Sequence, residues 1–161
     1  MAQADYYLKL EGIEGESSDD KHKGEIELLS FSIGVSQAGS AGAGGGGGTG
    51  KARFHDFSIT KTVDKSSPKL FLAGASHQHI KSGILTARKG GGSQQDYLQY
   101  KFENLTVDFF HKVGGQGKTV PEEMIKFSYA KVEVEYKEQK PDGTLGGAVK
   151  AGWHLPAHKK V

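Results

Sequence analysis

The chain has 161 residues, 21 Lys and Arg against 19 Asp and Glu for a net charge of +2, 35% hydrophobic residues and no cysteine. That length suits one domain, residues 1–161, able to bury roughly 70% of the surface its unfolded chain would expose. Near-balanced charge leaves no electrostatic footprint for nucleic acid or an anionic membrane, and the missing cysteines exclude disulfide scaffolds, thiolate zinc sites and cysteine nucleophiles.

The opening MAQADYYLKL lacks the basic and apolar regions of a secretory signal peptide. No apolar run approaches the ~20 residues of a membrane-spanning helix. The expectation is synthesis in the cytosol, no membrane insertion, and any export without a cleaved signal. YLKL then alternates, with Tyr6, Leu8 and Leu10 on one strand face. The next strand candidate, EIELLSFSIGV, starts in one phase with Ile26 and Leu28 and continues in the other with Leu29, Phe31, Ile33 and Val35. After a Gly-rich loop over 39–53, FSITKTV alternates through Phe57, Ile59 and Val63.

SSPKLFLAGASHQ reads as the single helix, from about Pro68 to His77, with Ser67 as N-cap and Pro68 at the first helical position. Leu70, Phe71, Gly74 and Ala75 are its expected inward residues. Two further segments change phase midway. One runs Leu98, Tyr100, Phe102 and then Leu105, Val107, Phe109; the other runs Ile125, Phe127, Tyr129 and then Ala130, Val132, Val134, Tyr136. A strand whose inward face switches parity must bulge, bend or break. Three such switches predict strands that turn the corners of a small barrel. The fold class is therefore mainly all-β: a small β-barrel of two sheets, one flanking short α-helix and long Gly-rich loops.

The 24 glycines, about twice the usual ~7%, cluster at 39–50, 90–92, 114–117 and 143–147, which read as loops. Within the first, Gly45 to Lys51 imitates a phosphate-binding loop, but Ala52 stands where that loop needs Ser or Thr, and a strand rather than a helix follows. A second fragment at 117–119 has Lys112 where the first glycine belongs. His77 and His79 form an H-x-H pair without supporting metal ligands, and His154 and His158 fall in a solvated tail at about 154–161. The carboxylates between Glu14 and Glu25 read as a solvated turn neutralised by Lys21 and Lys23. Trp153 reads as an anchor for the C-terminus or for a neighbouring subunit. No catalytic residue, cofactor or metal is assigned, and the chain reads as not an enzyme.

Three blocks carry a family resemblance: G-E-S-x-D-x-x-H-K at 15–23, S-I-T-K-x-x-D-K-S-S-P at 58–68 and R-K-x-G-G-x-x-x-x-Y-L at 88–98. With the DYYLKLEGIEG opening and FSYAKVEVEYKEQKPDGTLGG near the end, they resemble the haemolysin-coregulated protein (Hcp) family of type VI secretion over nearly the whole chain. The resemblance implies a barrel of two sheets and hexameric rings stacked into the inner tube of a phage-tail-like injection apparatus. It implies spike, sheath and effector partners, effectors held in the lumen, and a subunit that is cytoplasmic before firing and extracellular afterwards. It also assigns the Gly-rich segment to an extended loop. That loop, with Gly45, Gly46, Thr49, Lys51 and Arg53, is the candidate ring-stacking contact, with Asp19 or Asp20 as acidic counterparts. Ser30 and Ser32 are the candidate lumen-lining residues. The alternative is a monomeric or dimeric ligand-binding β-barrel module.

Overall fold

A computed structural model describes residues 4–37, 51–89 and 95–161. In chain order the strands are β1 (Asp5–Leu10), β2 (Ile26–Leu28), β3 (Ser30–Ser32), β4 (Val35–Gln37), β5 (Ala52–Phe54) and β6 (Phe57–Thr62). Helix α1 (Ser67–Ser76) follows, then β7 (His79–Arg88), β8 (Asp96–Val113), β9 (Glu122–Ser128), β10 (Lys131–Gln139), β11 (Leu145–His154) and β12 (Lys159–Lys160). One layer runs β12-β11-β10-β8-β7-β1-β2, and a second runs β8-β9-β6-β3, so the long strand β8 belongs to both. All named pairs are antiparallel, and β4 with β5 makes a separate hairpin.

The three parity switches are the places where the chain passes between layers. Leu28 ends the β1 pairing and Ser30 begins the β6 pairing, with Leu29 between them. In β8 the turn falls at Asn104, whose φ of 54° is in the left-handed region. Phe102 before it and Leu105 and Val107 after it are all buried. Such a backbone is unfavourable for most residues but tolerable for Asn. Ser128, Tyr129, Ala130 and Lys131 carry the third crossing from β9 to β10. Between the layers lies one core, with Phe57 stacked on Phe102 at 4.4 Å and on Phe127 at 5.6 Å.

Several expectations need correction. A second bulge between Val107 and Phe109 turns Phe109 out and lets Phe110 pack against the core. Leu29 and Val35 are exposed, because each lies beyond the ends of the inward-facing run. The helix begins at Ser67, with Ser66 as N-cap and His77, in the left-handed conformation, as C-cap. Ser67, Leu70 and Ala73 are its buried residues and Gly74 lies against Val107 as expected, while Phe71 and Ala75 are exposed. The glycines at 146 and 147 lie within β11 rather than a loop, which starts after a Pro141–Gly143 turn. The 154–161 segment is not simply a solvated tail: Lys159 and Lys160 pair with His154 and Trp153, and His154 Nδ1 accepts from the Ala157 N–H.

Candidate functional site

The first and third sequence blocks meet in one ionic cluster. Residues 15–25 form a hairpin over the outer side of β1, with the Gly15 N–H donating to Gly24 O and the Ser17 N–H to Glu25 O. Gly15 is required by closeness: a Cβ there would lie 2.5 Å from Glu25 O and 2.6 Å from Ile26 Cα. At the hairpin's far end His22 is buried and stacks on Tyr7 at 4.4 Å. Its Nδ1 lies 2.9 Å from Glu25 and its Nε2 3.0 Å from Asp96. Both ring nitrogens face carboxylates, and only an imidazolium can donate to both. Burial opposes that charge, but the hydrogen bonds to Asp96 and Glu25 outweigh it and raise the pKa above the ordinary histidine value. Arg88, 3% exposed, donates to Asp19 at 2.8 Å, Asp5 at 3.2 Å and Tyr7 Oη at 2.7 Å. The hydrogen bond from Arg88 holds the Asp19 carboxyl below the usual carboxylate range.

The Glu14 to Glu25 segment is thus a tied-down hairpin and not a solvated turn. Lys21 and Lys23 stay exposed, while the neutralising cations are Arg88 and His22. Two signals were present in the sequence: Tyr7, an aromatic on the outward parity of β1, and the histidine and arginine inside blocks that otherwise favour turns.

The second block builds another cluster around Lys61. Alternation along β6 places position 61 on the inward face with Phe57 and Ile59, and the lysine there is fully buried. Its Nζ contacts Asp64 at 2.9 Å, Glu123 at 3.3 Å, Ser67 Oγ at 3.2 Å and Thr62 O at 3.0 Å. Ser67 Oγ donates to Glu123, and Ser66 Oγ to Asp64. The cluster therefore joins β6, β9 and the first turn of α1. The inward lysine between Ile59 and Val63 was the missed signal; it marks a buried partner of opposite charge.

The expected site residues scatter. Gly45, Gly46 and Thr49 lie outside the described residues. Lys51 is exposed, and Arg53 is in β5, paired with Ser36 in the β4–β5 hairpin rather than in a loop. The strand expected after the phosphate-loop imitation is present. Asp19 is committed to Arg88, whereas Asp20 is exposed. Ser30 and Ser32 are exposed on the outer face of the second layer, opposite Thr60 and Ser58. His77 and His79 do not act together: His79 Nδ1 donates to Asn104 Oδ1 at 2.8 Å. Among the described residues no group of three or more His, Asp or Glu is placed to hold a metal ion. No helix is long and apolar enough to cross a membrane. Trp153 stacks on Phe54 at 6.2 Å and shares with Val132, Val134 and Val35 an apolar groove of about 400 Å³.

What remains open is the second layer. β3 pairs with β6 on one side, and among the described residues nothing pairs with its other side. At the far edge β7 leaves β8 at Thr106, so among the described residues 107–113 pair only with β9. Open edges invite further strands. These two are different edges of one sheet and pair with each other, not with themselves, when copies repeat head to tail.

Fold and edges together define a β-barrel with two unlike open edges on one layer. The sequence model of the family described as type VI secretion system effector, Hcp, matches residues 7–136. Protein hcp1 of Pseudomonas aeruginosa is 40% identical over 153 residues, 94% of each chain. A solved structure described as a type six secretion system protein superposes with a TM-score of 0.93 at 34% identity, over 99% of this chain and 100% of that one. The crystal structure of Hcp1 from Salmonella typhimurium gives 0.83 at 36%, over the whole of both chains. This chain belongs to the Hcp family. It is a structural subunit of the type VI secretion tube and a protein of that secretion system, not an enzyme.

Proposed function

We propose that six copies close head to tail into a ring, that rings stack into the tube, and that the outer face of the β3–β6–β9–β8 layer lines its lumen. The single observation carrying this reading is the pair of unlike open edges on one layer. Joining β3 of each copy to the β8 end of the next would make that layer continuous around the ring and leave no edge exposed. The number six follows the family resemblance. The face assigned to the lumen carries the small hydroxyl side chains of Ser30, Ser32, Ser58, Thr60 and Ser128, with Met124 and Lys126 opposite Thr60 and Ser58. In this reading the lumen holds effectors, and spike and sheath are the tube's other partners. The subunit waits in the cytoplasm and leaves with the fired tube.

A cysteine-free chain makes the orientation testable. Ser32→Cys, labelled with a small gold–maleimide, is expected to put density inside a six-fold annulus in negative-stain images. Density outside the annulus would reverse the assignment, and the absence of annuli from unlabelled protein would remove the ring reading itself.

We assign stacking to the segment 39–53, on its length in the sequence and on the exposed Lys51 and, in β5, Arg53. Because Asp19 is held by Arg88, Asp20 is its remaining acidic counterpart. Deleting Gly42 to Gly48 is expected to leave rings intact and shorten the tubes. Tubes of unchanged length would show that stacking lies elsewhere.

A further inference from the structure

Helix α1 buries little of itself. Of its ten residues only Ser67, Leu70 and Ala73 are buried, while Phe71 and Leu72 are 63% and 59% exposed. Phe71 is not loose: its ring meets the edge of Phe110 at 5.9 Å, and Gly74 beneath sits so near Val107 that an added Cβ would come within 3.3 Å. The result is a braced apolar knob. Lys69 Nζ, the nearest cation on the helix, turns toward Gly12 O.

Beyond the end of β3 lies the apolar groove of about 400 Å³, walled by Ile33 and Val35 and by Phe54, Val132 and Trp153. Its walls are also braced. The Tyr129 hydroxyl, its pKa pushed up to about 12 by burial, donates to His55 O at 2.9 Å, and the His55 N–H donates to Gly34 O at 2.8 Å. Val35, 57% exposed, forms part of the rim.

We infer that Phe71 and Leu72 of one copy seat in the groove beside β3 of the next copy. This rests on the head-to-tail ring reading and adds to it the side-chain contact that selects the partner. Position argues for a second copy as the occupant. The knob stands on the free end of β8, through Val107 and Phe110. The groove opens where the chain continues from β3 through Ile33 to Val35. These are the two edges that head-to-tail closure brings together, so one contact covers both apolar surfaces. A two-fold dimer could fill both grooves only if knob and groove shared one self-complementary face, and here they stand by different edges of the layer. Apolar patches held in shape on both sides are what a lasting interface needs, and a central aromatic in a desolvated pocket carries most of its affinity.

Two measurements test it. Leu72→Cys combined with Val35→Cys is expected to give, under mild oxidation, a ladder of covalent oligomers ending in a closed ring species. Leu72→Cys with Asp142→Cys, exposed in the β10–β11 turn and outside the groove lining, is expected to give none. Wild-type rings are scored first by electron microscopy. Rings without cross-linking of the first pair overturn the inference and leave the ring reading standing, whereas absence of rings removes both. Phe71→Glu is expected to fold normally by circular dichroism and to weaken each subunit contact roughly thirtyfold or more, abolishing rings at wild-type working concentrations. Rings that persist in Phe71→Glu would show that the knob faces another component of the apparatus, and would sink the assignment.

Discussion

Lys61→Met is expected to destabilise the subunit by about 3–5 kcal/mol, a large part of the roughly 5–15 kcal/mol that holds a typical domain folded. The methionine nearly matches the lysine stem in shape, so the loss is electrostatic. It strands the fully buried Glu123 and the mostly buried Asp64 without their shared cation. Removing one partner of a buried pair is far worse than replacing both by apolar residues. Lys61→Met with Glu123→Met should therefore lose less than Lys61→Met alone. Urea unfolding at equal protomer concentration measures both, since assembly itself stabilises the folded chain. A single substitution within about 1 kcal/mol of wild type, or a double variant worse than the single, would mean that the cluster does not hold α1 and β9 together. Because α1 is pinned through Ser67 to Glu123, the same variant is expected to form rings less readily.

The second large effect is on the 15–25 hairpin and depends on pH. His22 has its folded pKa raised, so the stability it contributes is complete below the unfolded histidine value of about 6.5 and is lost as pH rises through the folded value. Asp19 has its pKa lowered by Arg88, so its contribution is complete above the unfolded carboxylate value near 3.9 and is lost as pH falls through the folded value. The hairpin is thus held most firmly in the mildly acidic range and loosens on both sides. Hydrogen-exchange protection factors of the Gly15, Ser17 and Gly24 amides, whose carbonyl partners lie within the hairpin, should decline as pH rises above about 6.5. His22→Gln should abolish that decline and lower protection below it by about 2–3 kcal/mol, two hydrogen bonds to charged groups. A wild-type profile that stays flat from pH 6 to 9 would show that His22 is not the latch.

Much of the barrel was legible because strand periodicity is a local property. Ile26 and Leu28 followed by Phe31, or Phe102 followed by Leu105, record a change of face in the order of residues themselves, and each change marked a crossing between layers. The Gly-rich run at 114–117 marked a loop by the same local logic, whereas Gly146 and Gly147 fall inside β11, at the irregularity between its Leu145–Gln139 and Ala148–Lys137 pairs; the runs at 39–50 and 90–92 lie outside the described residues. The helix was legible to within a residue at its start, but its inward face was not. Phe71 and Ala73 are both apolar, and only the position of Val107 and Phe110 beneath α1 decides which is covered.

The amino-acid order alone determined an all-β chain with three corners, one helix, no thiol chemistry, and three blocks shared with a secreted tube family. Only the tertiary structure decided what those blocks do. It brought Asp96 to His22, Asp19 to Arg88 and Glu123 to Lys61 across gaps of 60 or more residues. It also showed which edges and apolar surfaces stay uncovered. Charge pairing and burial depend on distances between strands, which no periodicity within one strand can encode.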